Sequence, residues 1–153
     1  MPAPSVTTAL WFDSGAEDAA RFYCTLFPDA SIDAIFPQLG DPQGRAFIVE
    51  FTLQGQRFQA MNGGPHYRLT PAASISVLLD AQPEIDRLWA ALLAGGGAES
   101  RCGWLTDRWG LSWQIVPRAL PRLLRGPHAA PVAQAMMGMV KLDIAALEAA
   151  AGP

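Results

Sequence analysis

The chain has 153 residues, half of them apolar and 16% charged, a size and balance that suit one globular domain around one core. Its net charge of -3 offers no cationic field to phosphate backbones or anionic lipid headgroups, which argues against nucleic acid and membrane surfaces as partners. No apolar run is long enough to span a bilayer, and Met1 to Thr8 has neither a basic region nor a hydrophobic stretch, so a cytoplasmic protein is expected.

In chain order, Thr7 to Phe12 is a short β-prone run, and Asp13-Ser14-Gly15 supplies turn and capping chemistry, with Asp13 read as the cap of a helix. That helix spans about Ala16 to Leu26, where Ala19, Phe22, Tyr23, Leu26 and Phe27 keep the spacing of one buried face. Pro28-Asp29 stops it. Strands are predicted at Ser31 to Phe36, Ala46 to Leu53 and Arg57 to Met61, the last two joined by a Gly-containing turn at Gln54-Gly55-Gln56.

After Asn62-Gly63-Gly64-Pro65 the pattern restarts. Ser74 to Leu79 is a strand, and Gln82 to Ala94 a helix with Ile85, Leu88, Trp89 and Leu92 on one face and Gly95-Gly96-Gly97 at its end. Ala98 to Cys102, Trp104 to Thr106 and Leu111 to Val116 follow as strands, the last two connected through Asp107-Arg108-Trp109-Gly110. The order β-α-β-β-β thus occurs twice, which predicts an α+β fold of two curved mixed sheets around a shared cavity. The halves run about 5–65 and 72–117, and 118–153 forms a helical tail. Its helices are placed at Arg118 to Leu124, Ala129 to Met139 and Leu142 to Ala151, with Met136, Met137, Met139 and Val140 as core or subunit interface.

Cys24 and Cys102 are far apart and in no CxxC pair, so neither a disulfide framework nor a zinc knuckle is expected. Cys102 stands in a Cys-Gly-Trp run beside Arg101 and is a candidate reactive thiol, although no histidine lies near it in sequence to serve as base. Asp107 and Gly110 read as turn chemistry.

Leu10 to Asp13 (LWFD), Ala60 to Pro65 (AMNGGP), Arg101 to Pro117 (RCGWLTDRWGLSWQIVP) and Lys141 to Ala150 (KLDIAALEAA) together resemble the vicinal oxygen chelate superfamily. The subfamily they resemble is the bacterial one labelled 3-demethylubiquinone-9 3-methyltransferase-like, related to glyoxalase I and the bleomycin-resistance proteins. The resemblance implies the paired βαβββ fold, a small-molecule ligand and a homodimer. It also implies a divalent metal held from the first, fourth, fifth and eighth strands. Thr7, Gln59, Ser74 and Gln114 match those positions, and none is His, Asp or Glu, so no metal is expected there. The methyltransferase label implies S-adenosylmethionine, but no glycine-rich loop stands between a strand and a helix, and no cofactor is expected.

Strand alternation places Met61, Ser112 and Val116 with Gln59 and Gln114, Ala9 and Trp11 with Thr7, and Ser76 with Ser74, while Trp113 and Ile115 face the helices. The expected ligand-binding residues are Trp11, Gln59, Asn62, Ser74, Ser76, Trp104 and Gln114, an aromatic pocket with neutral hydrogen-bonding groups. Gln59 and Gln114 bonding each other or buried water is the plain structural alternative. The function expected is a small-molecule binding protein or a metal-independent enzyme. A divalent-metal lyase or dioxygenase, drawing on His66, Asp41 or Glu50, is the main rival, ahead of a methyltransferase. His66 and His128 otherwise read as loop residues.

Overall fold

The computed structural model describes all 153 residues, in two compact units, Met1–Leu69 and Thr70–Pro153. The first contains β1 (Thr8–Phe12), α1 (Ala16–Leu26), β2 (Ala30–Pro37), β3 (Ala46–Leu53) and β4 (Gln56–Asn62). Its sheet has the order β1-β4-β3-β2, with β4 parallel to β1 and the other neighbours antiparallel. The second contains β5 (Ser74–Leu79), α2 (Gln82–Leu93), β6 (Ala98–Glu99), β7 (Trp104–Thr106) and β8 (Ser112–Pro117), ordered β5-β8-β7-β6 with β8 parallel to β5. In both units the last strand returns beside the first, so one topology occurs twice, and the predicted α+β class with its βαβββ repeats is observed.

Each sheet is covered by its own helix. In the first unit α1 packs across β2, β3 and β4. Tyr23 of the helix meets Phe51, and Phe51 stacks on Phe58 at 5.2 Å between ring centroids. Leu10, Phe12, Val49, Leu53 and Ala60 are buried on that side, which leaves Trp11, Ile48, Glu50, Gln59 and Met61 on the opposite face by alternation. The β3–β4 turn is a two-residue hairpin in which Gln54 and Gly55 both have positive φ, 48° and 80°, the geometry that matches strand twist. In the second unit α2 lays Ile85, Leu88, Trp89 and Leu92 on β5, β7 and β8, against fully buried Trp113 and Ile115.

The tail forms α3 (Ala119–Leu123), α4 (Ala129–Met137) and α5 (Ile144–Ala150). Leu120, Val132, Leu142 and Leu147 make a small core, with Val116, Met136 and Met139 packed against it. Met137 and Val140 are exposed, so the methionine cluster divides between core and surface.

Several boundaries differ from expectation for identifiable reasons. The strand predicted at Ala98 to Cys102 stops at Glu99, because Cys102 turns into a left-handed conformation (φ 57°). Its N–H donates to the Met139 carbonyl, and the Gly103 N–H to Val140, so the tail captures this turn. The helix expected to reach Met139 ends at Met137 with Gly138 as its cap. Leu142 lies outside the last helix, whose N-cap is Asp143, the side chain accepting from the Ala146 N–H at 2.7 Å. Thr7 falls one residue before β1. No helix is long and apolar enough to cross a membrane.

Candidate functional site

The first unit has a cavity of about 510 Å³ at the end of β1, where Trp11, Met61 and Phe47 supply the apolar wall and Asp13, Ser14, Gln38, Arg45, Asn62, Gly63 and Gly64 the rest. Trp11 is its organising side chain. The indole N–H donates to the Gly64 carbonyl at 2.9 Å, the Tyr67 ring meets it edge-on at 4.9 Å, and Gly63 lies directly against the indole. The Gly63 and Gly64 N–H groups donate to the carbonyls of Phe12 and Asp13, so the segment after β4 runs on alongside the end of β1.

Asn62 closes the same corner. Its Oδ1 accepts the Ala16 N–H at 2.8 Å and its Nδ2 donates to the Ala46 carbonyl at 2.9 Å, so both ends of the amide bind backbone. Asp13 was expected to cap α1 and does not. The helix begins at Gly15 without a local side-chain cap, and Asn62, contributed by the far end of β4, satisfies its first donor instead. Asp13 is left exposed at the cavity with no hydrogen-bond partner on its carboxylate.

Arg45, which sequence reasoning did not single out, reaches the cavity from the β2–β3 connection. Its Nε donates to Asp41 Oδ2 at 2.9 Å, and the same oxygen accepts the Arg45 N–H at 2.8 Å. The guanidinium and these backbone bonds hold the Asp41 carboxyl down at about 2. The only sequence signal was an Asp and an Arg four residues apart in a Gly- and Pro-containing loop.

Gln59 stands on the face of the first sheet opposite α1, its Nε2 donating to Glu50 Oε1 at 3.0 Å, its cross-strand neighbour. In the second unit Ser74, Ser76, Trp104 and Gln114 share the sheet face opposite α2. Ser76 and Trp104 flank Gln114 in register, and Gln114 Nε2 donates to Ser74 Oγ at 2.9 Å. Each glutamine therefore bonds a neighbour in its own sheet. Ser112, opposite Ser74, is buried and its hydroxyl has no partner. The expected residues thus fall in two groups, Trp11, Gln59 and Asn62 in the first unit and Ser74, Ser76, Trp104 and Gln114 in the second.

Cys102 is half-buried, held by its backbone to the tail. His66 and His128 are exposed, and His66 is not among the cavity residues. Asp107 is turn chemistry and more. It is buried, its Oδ1 accepts the Trp109 and Leu111 N–H groups, and its Oδ2 accepts the Trp113 indole N–H at 2.9 Å.

Residues 4–116 match the family described as 3-demethylubiquinone-9 3-methyltransferase. A PhnB protein of Bacillus cereus, provisionally described by the same label, is 31% identical with a TM-score of 0.67, over 74% of this chain and 99% of that one. The chain belongs to this family. Protein PA1353 from Pseudomonas aeruginosa shares the family member's fold at 21% identity and a TM-score of 0.63, over 75% of this chain and 98% of that one. The fosfomycin resistance protein FosX of Listeria monocytogenes does so at 13% and 0.52, over 76% of this chain and 94% of that one. These two likenesses are of fold alone. No curated protein matches the chain.

The family's name implies S-adenosylmethionine, and the residues do not fit it. Neither sheet is doubly wound and parallel, and the turn from β1 into α1 is Asp13-Ser14-Gly15, with the first helical N–H already taken by Asn62. The superfamily's divalent metal fits no better. Thr7, just before β1, with Gln59, Ser74 and Gln114 offers two hydroxyls and two amides, which supply no charge to offset the ion's lost hydration. Within either unit no three His, Cys, Asp or Glu side chains come together. Of the alternative ligands, Asp41 is engaged by Arg45, while Glu50 stands beside Gln59 and accepts from its amide.

Proposed function

We propose that this family member binds a small, uncharged or weakly polar organic molecule through contact area and a few oriented hydrogen bonds. It works as a ligand-holding protein or as an enzyme that uses no metal at the four strand positions. The observation that carries the reading is the first unit's cavity, in which Trp11, Met61 and Phe47 meet a small set of polar groups. The neutral face formed by Ser74, Ser76, Trp104 and Gln114 agrees with it in chemistry. In this reading the protein is a homodimer, as its resemblance to the superfamily implies, and it works in the cytoplasm.

One observation favours the metal-dependent lyase or dioxygenase as second reading, the Glu50 carboxylate beside Gln59. Elemental analysis and native mass spectrometry of protein purified without chelator separate the two. The expected result is a dimer free of stoichiometric transition metal, with Trp11→Ala abolishing whatever small-molecule binding is found. One zinc, nickel or iron per chain, lost on Glu50→Gln, overturns the first reading in favour of the second.

A further inference from the structure

The cavity of the first unit does not stand alone. A second, apolar groove of about 480 Å³ lies against it, lined by Phe36, Pro37, Leu39 and the two residues that also wall the first cavity, Gln38 and Phe47. Its apolar side chains are unusually open to solvent for a small protein. Leu39 is 95% exposed, Phe36 47% and Phe47 41%, all within one hairpin. A contiguous exposed apolar patch of this kind marks an interaction site, whereas single scattered apolar residues do not.

The polar end has an equally definite character. Asn62 commits both ends of its amide to backbone, and Arg45 is paired with Asp41. The groups left to meet a ligand are the Asp13 carboxylate, the Ser14 hydroxyl and the Gln38 amide. With the Arg45–Asp41 pair cancelling, Asp13 leaves this end with one net negative charge. An anionic group there faces repulsion, while a neutral or cationic donor finds acceptors and the Trp11 ring.

We propose that the first unit takes an amphipathic molecule, a neutral hydrogen-bonding head lodged between Trp11, Asp13 and Gln38 and a hydrocarbon tail laid over Phe47 onto Phe36 and Leu39. This rests on the cavity being the ligand site, and adds the class of ligand. Phe47 and Gln38 form the sill that both parts cross. The groove's occupant is the tail of the same molecule, because the two spaces share these walls and the hairpin that carries them is tied off behind by the Asp41 turn.

The test is a series of para-alkyl benzamides, from benzamide to the para-hexyl compound, titrated by calorimetry. Affinity is expected to rise about fourfold for each methylene buried in the groove. Leu39→Ser and Phe36→Ser should flatten that rise and leave benzamide itself unaffected, while Trp11→Ala abolishes binding of the whole series. Para-hexylbenzoate should bind about tenfold more weakly than the benzamide, a gap that Asp13→Asn narrows. Benzamide binding with no dependence on chain length overturns the tail and leaves the cavity reading standing. No binding by any member overturns both. A dimer in sedimentation that Leu39→Ser converts to monomer assigns the groove to a second copy of the chain and also overturns the proposal.

Discussion

Trp11 lies so close to Gly63 that a methyl group in place of the glycine hydrogen would overlap the indole atoms Cε2, Cζ2 and Cη2. The Gly63 backbone is not in a glycine-only conformation, so close approach alone demands the residue here. Gly63→Ala must push the indole out of place or break the Gly64 carbonyl bond that anchors it. The expected cost is that of an overpacked site, about 1–3 kcal/mol, with a loss of ligand binding at the cavity. Gly138→Ala is the control, since a methyl group there makes ordinary contact at 3.5 Å and should leave stability nearly unchanged. Thermal unfolding and near-ultraviolet circular dichroism of the two variants decide the matter, and equal behaviour would show that Trp11 is free to move.

Asn62 joins the start of α1 to the start of β3, and its loss unfastens both. Asn62→Ala leaves the Ala16 N–H and the Ala46 carbonyl without partners, a helix cap and a strand tie together. A destabilisation of about 1–2 kcal/mol is expected. Asn62→Asp should restore only the half that accepts from Ala16, so its stability should fall between that of the parent and that of the alanine variant. Urea unfolding measures the order, and an alanine variant as stable as the parent would remove Asn62 from the structural ties.

Asn62 also shows where the sequence stops being readable. Strands β3 and β5 and helices α1 and α2 follow from alternation and 3.6-residue spacing, because each buries one face on an element nearby in the chain. The repeated β-α-β-β-β order follows from them. The nearest side chain suited to capping the helix is Asp13, but the side chain that fills the position is 46 residues from Ala16, and no local pattern reports that distance. The role of Arg45 is illegible in the sequence for a related reason, being set by how the β2–β3 loop folds back. Likewise β6 ends early because carbonyls of Met139 and Val140, far along the chain, draw Cys102 and Gly103 into a turn.

The Asp41–Arg45 pair fixes how the cavity wall responds to acid. Asp41 is held at about 2, below its ordinary 3.8, by the Arg45 side chain first and the Arg45 backbone N–H next. A lowered folded value means that the contribution is complete above the unfolded value and is lost as pH falls through the folded one. The hairpin should therefore keep its form from neutral pH to about pH 4 and loosen on the way down to about 2. Asp33, lowered by the hydroxyls of Ser31 and Thr52, and Asp86, lowered by Lys141 and Gln82, act in the same direction. Carboxyl NMR titration reads each site. Arg45→Gln should return Asp41 towards the ordinary carboxylate range, and an unchanged titration would show that the guanidinium is not the cause.

The most costly polar change is expected at Asp107, which is nearly all buried and gathers three donors onto one carboxyl. Two are backbone N–H groups of its own turn, and the third is the indole of Trp113, a fully buried side chain under α2. Asp107→Ala leaves these donors facing a small void, and buried donors without acceptors cost about 1–3 kcal/mol each before any relaxation. A loss of about 3 kcal/mol or more is therefore expected, larger than for Asn62, whose groups lie nearer water. Asp107→Asn keeps an oxygen for one side of the site but turns an N–H towards the donors on the other, so it should recover only part. If the loss comes from the Trp113 bond, Trp113→Phe should remove much of the difference that Asp107→Ala makes, as read in a double-mutant cycle. If the two changes prove additive, the carboxyl serves the turn alone, and the Trp113 indole contributes through its packing.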